Sequence, residues 1–124
     1  MQCLLIDDDL DDQEVLIMTL EKINKNITYA TANTGVAALD VLADGQLKPD
    51  YIFLDMNMPK MNGIECLTNL KKLPQLADCK IFMYSTTAEN AVVQRIKELG
   101  AVDFIVKPAS PADLEKILSK ILGN

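Results

Sequence analysis

Asp7, Asp8, Asp55 and Lys107 stand at the C-terminal ends of short apolar runs: Cys3-Leu4-Leu5-Ile6, Tyr51-Ile52-Phe53-Leu54 and Phe104-Ile105-Val106. Runs of that length, bounded by polar residues, read as buried strands. Strands that alternate with helices pack in parallel, so their C-terminal ends share one edge of a sheet. Three carboxylates and one ammonium then converge on a single crevice. Crowded carboxylates repel one another unless a cation sits among them. An oxygen-rich acidic nest suits Mg²⁺, which keeps several waters and takes few protein ligands. A metal beside a carboxylate, with a lysine on the far side, is a place to hold a phosphoryl group.

The elements that would position these groups are five strands alternating with five helices. The first helix spans about Asp11 to Lys25, with Leu16, Leu20 and Ile23 on one face. The second strand is Ile27–Ala32. Thr34 caps a second helix with Val36, Leu39 and Leu42 at helical spacing, and Gly45 ends it. Gly63 opens the third, with Ile64, Leu67 and Leu70 on its buried face. Ile81–Ser85 is the fourth strand. The fourth helix buries Val92, Ile96 and Leu99, and Gly100 stops it. The fifth has the clearest start: Ser110 as cap, Pro111 at the first helical position and Asp113 in the first turn. Its stripe is Leu114, Ile117, Leu118 and Ile121. Right-handed crossovers make this an α/β fold, an open, doubly wound parallel sheet with helices on both faces. Residues 1–124 read as a single domain.

Composition narrows the function. With 49% apolar residues the chain has a real core, and with 24% charged it is neither disordered nor membrane-spanning. No apolar run approaches the roughly 20 residues that span a bilayer. The N-terminus runs straight into a strand and then acids, without a signal peptide's basic start. A cytoplasmic location is expected. The net charge of −6, with no basic stripe, argues against direct nucleic-acid binding. The absence of histidine removes the usual general base, the Ser-His-Asp triad and His-based zinc sites. Cys3, Cys66 and Cys79 are too widely spaced for a metal site and read as buried free thiols.

The most specific segment is Asp55-Met56-Asn57-Met58-Pro59-Lys60-Met61-Asn62-Gly63. Pro59 fixes φ and Gly63 permits a close turn, as any strand-to-helix loop would need. Neither explains an acid directly after Leu54. A carboxylate there can attack phosphorus and form an aspartyl-phosphate, with a metal and a lysine stabilising the transferring group's charge. Ser85 falls at the same edge, where its hydroxyl can donate to a phosphoryl oxygen. Thr87 is a candidate cap for the helix that follows.

Together these residues resemble the receiver domain of bacterial two-component response regulators, particularly the stand-alone chemotaxis-regulator type. The resemblance runs the full length. It rests on the acid pair Asp7-Asp8, the stretch Asp55…Met58-Pro59…Met61-Asn62-Gly63, the hydroxyl of Ser85, and Lys107-Pro108. It implies a flavodoxin-like strand order 2-1-3-4-5. It also implies that Asp55 is the phosphoacceptor and that Asp7, Asp8, Asp55 and the main-chain carbonyl of Asn57 hold Mg²⁺. Ser85 matches the switch hydroxyl, Phe104 the aromatic switch residue and Lys107 the phosphate-contacting lysine. The Lys107–Pro108 bond would be cis. Two positions depart from the pattern. Thr86 stands where the family often has Ala or a smaller residue, flanking the pocket. Ala109 stands where a bulky aromatic often follows the proline.

The resemblance implies a phosphoacceptor signalling protein rather than an enzyme. It would receive a phosphoryl group on Asp55 from a sensor histidine kinase or phosphotransfer protein. It would then switch its affinity for a protein target through the fourth helix, fifth strand and fifth helix. Its only catalysis would be its own phosphotransfer and dephosphorylation. A phosphorelay intermediate, or a phosphorylation-independent module of the same fold, are the alternatives. A haloacid-dehalogenase-type phosphatase needs a second acid two residues after the nucleophile, where this chain has Asn57. A P-loop nucleotidase needs G-x-x-x-x-G-K-[ST], which is absent. A flavodoxin needs a Ser/Thr-rich loop where Asp7-Asp8-Asp9 stands.

Overall fold

A computed structural model describes residues 1–86 and 88–123. The candidate cap Thr87 lies outside the described residues. The strands are β1 (Gln2–Ile6), β2 (Thr28–Ala32), β3 (Tyr51–Leu54), β4 (Lys80–Ser85) and β5 (Asp103–Val106). They pair in parallel in the order β2-β1-β3-β4-β5, as the resemblance implies. The helices are α1 (Leu10–Ile23), α2 (Gly35–Leu42), α3 (Gly63–Leu70), α4 (Asn90–Glu98) and α5 (Pro111–Leu122).

Period-2 alternation divides the strand side chains between two cores. Leu4, Ile6, Ile52, Leu54, Ile81 and Met83 face α2, α3 and α4. Cys3, Leu5, Phe53, Phe82, Tyr84 and Ile105 face α1 and α5, where they meet Leu16, Leu20, Leu114 and Leu118. The central strands β1 and β3 are therefore buried on both faces, which is why they read as unbroken apolar runs. Cys3, Cys66 and Cys79 are all buried and unpaired with one another, and burial pushes their thiols up to about 11, 11 and 12.

Most helix ends follow the expected chemistry. The Asp9 carboxylate accepts from the backbone of Asp11 and Asp12, at 2.9 and 3.2 Å, and so caps α1. Thr34 Oγ1 accepts from Ala37 and Ser110 Oγ from Asp113. α3 opens on a reciprocal capping box between Asn62 and Glu65. α1 ends at Ile23, short of the expected Lys25, because Asn24 turns extended there. A short 3₁₀ turn at Pro74–Leu76 was not anticipated.

α2 keeps part of the expected stripe: Leu42 is buried and Leu39 packs half-buried against the core, but Val36 points to solvent, and Gly35 and Ala38 are the further buried positions. Small residues carry no hydrophobic signal, yet they let α2 lie close to its neighbours. A Cβ on Gly35 would stand 2.8 Å from Met61 Sδ. On α5 the fully buried line is Leu114, Leu118 and Leu122, with Ile117 and Ile121 flanking it half-buried.

Gly63 is tighter still. Its N–H donates to the Met56 carbonyl at 2.9 Å. A Cβ there would stand 2.6 Å from the Asp55 carbonyl oxygen and 2.7 Å from Met56 Cα, both backbone atoms that cannot swing aside. Gly63→Ala is expected to destabilise the fold by roughly 1–3 kcal/mol. A urea melt with an unchanged midpoint would contradict this.

Candidate functional site

Three backbone hydrogen bonds carry the strand ladder one residue past the strand ends. Asp7 N donates to Ala32 O at 3.1 Å, Asp55 N to Ile6 O at 2.9 Å and Lys107 N to Ser85 O at 2.7 Å. Pairing of the backbone thus fixes the site residues along one edge before any side chain interacts. Asp7 and Asp55 are buried, at 4% and 6% exposure, and Ser85 at 1%, while Asp8 is exposed.

The acid triplet after β1 divides its work. Asp9 caps α1, whereas Asp7 and Asp8 turn toward Asp55. One carboxylate oxygen from each of Asp7, Asp8 and Asp55 lies within 4.8 Å of the others. This donor set fits Mg²⁺. It is all hard oxygen, it offers few protein ligands, and its exposed member leaves one side open to water.

Lys107 Nζ closes the far side. It lies 2.8 Å from Asp7 Oδ2, 2.7 Å from Asp12 Oδ2 and 3.9 Å from Asp55 Oδ1. Beneath it, 5.1 Å away, is the centre of the Tyr84 ring. Burial opposes the lysine's charge, but the hydrogen bonds to Asp12 and Asp7 and the charges of Asp7 and Asp55 outweigh it and hold the ammonium's pKa above its usual value. Burial pushes the Tyr84 phenol up to about 12.

Asp55 has the opposite imbalance. Burial, and then the charge of Asp7, raise its carboxyl to about 6. Lys107 and the Asn57 N–H, 3.5 Å from Oδ1, pull the other way but do not overcome them. The Asn57 side-chain amide reaches the Ser85 hydroxyl at 3.5 Å, which ties the β3 and β4 ends together across the site.

Sequence reasoning missed Asp12 and Gln13. Gln13 Nε2 bonds the Asp7 carbonyl and also the Asn33 Oδ1 at 3.0 Å, pinning the β1–α1 turn to the β2–α2 turn. The only signal for Asp12 was its place in the first turn of α1, where acids are expected on other grounds, and Gln13 carried none. Phe104 is half-buried on the α4 side of the sheet, beside Met83 in the strand register. Thr86 is exposed immediately after Ser85. Ala109 lines a cavity of about 170 Å³ with Val15, Tyr84 and Leu114.

One expectation is corrected. No cis peptide occurs among the described residues, so the Lys107–Pro108 bond is trans. Trans is the state X–Pro bonds prefer intrinsically, by about 0.5–1 kcal/mol. The lysine reaches its carboxylates without the cis turn.

The family model described as the response regulator receiver domain matches residues 3–119. The chemotaxis protein CheY of Thermotoga maritima is 32% identical over 113 residues, which cover 90% of this chain and 92% of that protein. The solved structure of Vibrio cholerae chemotaxis protein CheY4 superposes with a TM-score of 0.83 at 28% identity, covering 97% of each chain. CheY of Borrelia burgdorferi, solved as a CheX–CheY–BeF₃–Mg²⁺ complex, gives 0.83 at 27% identity over 98% of this chain and 89% of that one. Its fold, the acids at its sheet edge and these similarities place the chain in the response regulator receiver domain family.

Proposed function

We propose that this protein accepts a phosphoryl group on Asp55 from a histidine kinase or phosphotransfer protein and thereby changes its affinity for a protein target. The observation that carries this reading is the Asp55 carboxylate, buried between two further carboxylates and an ammonium 3.9 Å away. A carboxylate oxygen attacks phosphorus, and the bond from phosphorus to the donor breaks, leaving an aspartyl-phosphate. Mg²⁺ held by Asp7, Asp8, Asp55 and the Asn57 carbonyl would supply neutralising charge at the phosphoryl oxygens.

The chain's own groups do the rest. Lys107 supplies a second positive charge opposite the acids. The Ser85 hydroxyl, buried at the β4 end, would donate to a phosphoryl oxygen. Thr86 flanks the approach from solvent. The CheX–CheY–BeF₃–Mg²⁺ complex of the Borrelia relative supports a site that takes a phosphoryl mimic with Mg²⁺ and a protein that then binds a partner. Among the described residues no helix is long and apolar enough to cross a membrane. Incubation with Mg²⁺ and acetyl phosphate, read by intact-mass spectrometry, tests the reading. A protein that stays unlabelled would overturn it.

The response would run through Phe104 to the surface of α4, β5 and α5. Drawing the Ser85 hydroxyl toward a phosphoryl group would shift the β4–α4 loop and vacate space into which the half-buried Phe104 turns. Phosphorylation acts only through its preference for that state. Phe104→Ala is expected to leave Asp55 labelling within about twofold while removing most of the conformational response. NMR shifts of α4 with beryllofluoride check this. Unchanged α4 shifts in the wild type, with movement around Asp55, would break the coupling.

A further inference from the structure

We propose that Asp12 is a positioning residue that holds Lys107 in the unphosphorylated protein and competes with the phosphoryl group for it. The inference rests on the phosphoacceptor reading of Asp55 and deepens it.

An ammonium has three N–H donors. In this structure Asp7 and Asp12 engage two of them, at 2.8 and 2.7 Å, while Asp55 at 3.9 Å lies outside hydrogen-bond range. The two carboxylates holding the lysine are not equivalent. Asp7 belongs to the three-acid cluster, whose oxygens would be drawn to a metal. Asp12 stands outside that cluster and points at the lysine from the first turn of α1. When a metal shares the charge of Asp7, Asp12 remains the carboxylate committed to Lys107.

Lys107 is nine-tenths buried at its side chain, so it does not exchange its partners freely for water. One donor is left over, and to move in from 3.9 Å and give oxygens on Asp55 more than that one bond, Lys107 loosens its bond to Asp12. The free energy of the Asp12–Lys107 pair therefore favours the unmodified state and is subtracted from the stability of the phosphorylated one. α1 holds the carboxylate firmly. The Asp12 backbone N–H is bonded to the Asp9 cap, and the neighbouring Gln13 pins the same turn to the Asp7 carbonyl.

The test is the affinity for beryllofluoride, with saturating Mg²⁺, followed by NMR titration of the full chain. Asp12→Asn is expected to bind roughly three- to tenfold more tightly than wild type. Asp11→Asn, which removes an acid from the same turn without touching Lys107, is expected to match wild type. Lys107→Met should abolish the gain, so that Lys107→Met with Asp12→Asn binds no better than Lys107→Met alone. A helix start weakened by losing Asp12 would lower occupancy, the opposite sign, and Asp12→Ala serves as a second reading of the same effect. Equal or weaker binding by Asp12→Asn would overturn the proposal. So would a gain that survives in the Lys107→Met background, since the charge would then act directly on the anion. If the wild type itself takes up no beryllofluoride, the phosphoacceptor reading falls, and this inference with it.

Discussion

Asp55→Asn is expected to take up no phosphoryl group from acetyl phosphate and Mg²⁺, under conditions in which the wild type takes up one. The chain carries 18 Asp and Glu residues, and a carboxylate as such is a weak nucleophile. Asp55 combines burial, two neighbouring acids to share a cation and an ammonium within 4 Å, and unlike Asp7, whose carboxylate is taken up by Lys107 at 2.8 Å and the Asp9 N–H at 3.0 Å, it is not hydrogen-bonded to the lysine. The loss should exceed about 100-fold, because an amide has no charged oxygen to attack with. Intact-mass spectra of the two proteins decide it. An equal adduct in Asp55→Asn would move the acceptor to another acid. The wild-type rate should also depend on pH. The attacking form is the carboxylate, and its pKa is raised to about 6 by burial and Asp7. Labelling should therefore rise through pH 6 and level off above 7. Saturating Mg²⁺ should move that midpoint lower, because a cation favours the ionised form.

The same substitution is expected to stabilise the fold. A carboxyl raised to about 6 in the native state, against about 3.9 in an unfolded chain, favours the folded protein only while it is protonated. The sign follows directly. As pH falls from 7 through 6 toward 4, the folded state binds the extra proton and gains stability from this group. At neutral pH the ionised Asp55 costs on the order of 2–3 kcal/mol. Asp55→Asn removes that cost, so its melting temperature should exceed the wild type's at pH 7.5. The gap should narrow as pH falls below 6. Millimolar Mg²⁺ should narrow it too, by stabilising the wild type and not the variant. Melting curves that coincide for the two proteins across this range would show that neither burial nor the charge of Asp7 leaves a net cost on ionised Asp55. Lys107 acts at the other end of the scale. Its pKa is raised, so its contribution is complete below its ordinary value of 10.5 and fades as pH rises beyond it.

The sequence by itself determined the class of fold and most of the site. Apolar runs of three or four residues leading into Asp7, Asp55 and Lys107, with helical stripes between them, leave few arrangements other than a parallel sheet with its acids on one edge. Strand C-termini are set by backbone pairing, so the co-location of Asp7, Asp55, Ser85 and Lys107 was legible before any side chain was placed. What escaped was information carried by packing rather than by pattern. Gly35 and Ala38 join Leu42 on the buried face of α2 because small side chains permit close approach, which no hydrophobic stripe records. Asp12 looked like any acid that suits a helix N-terminus. Only the tertiary structure places it 2.7 Å from an ammonium 95 residues away. The division within Asp7-Asp8-Asp9 was settled the same way. All three are the same residue type, and the backbone direction at the β1–α1 turn decides which one caps the helix and which two face Asp55.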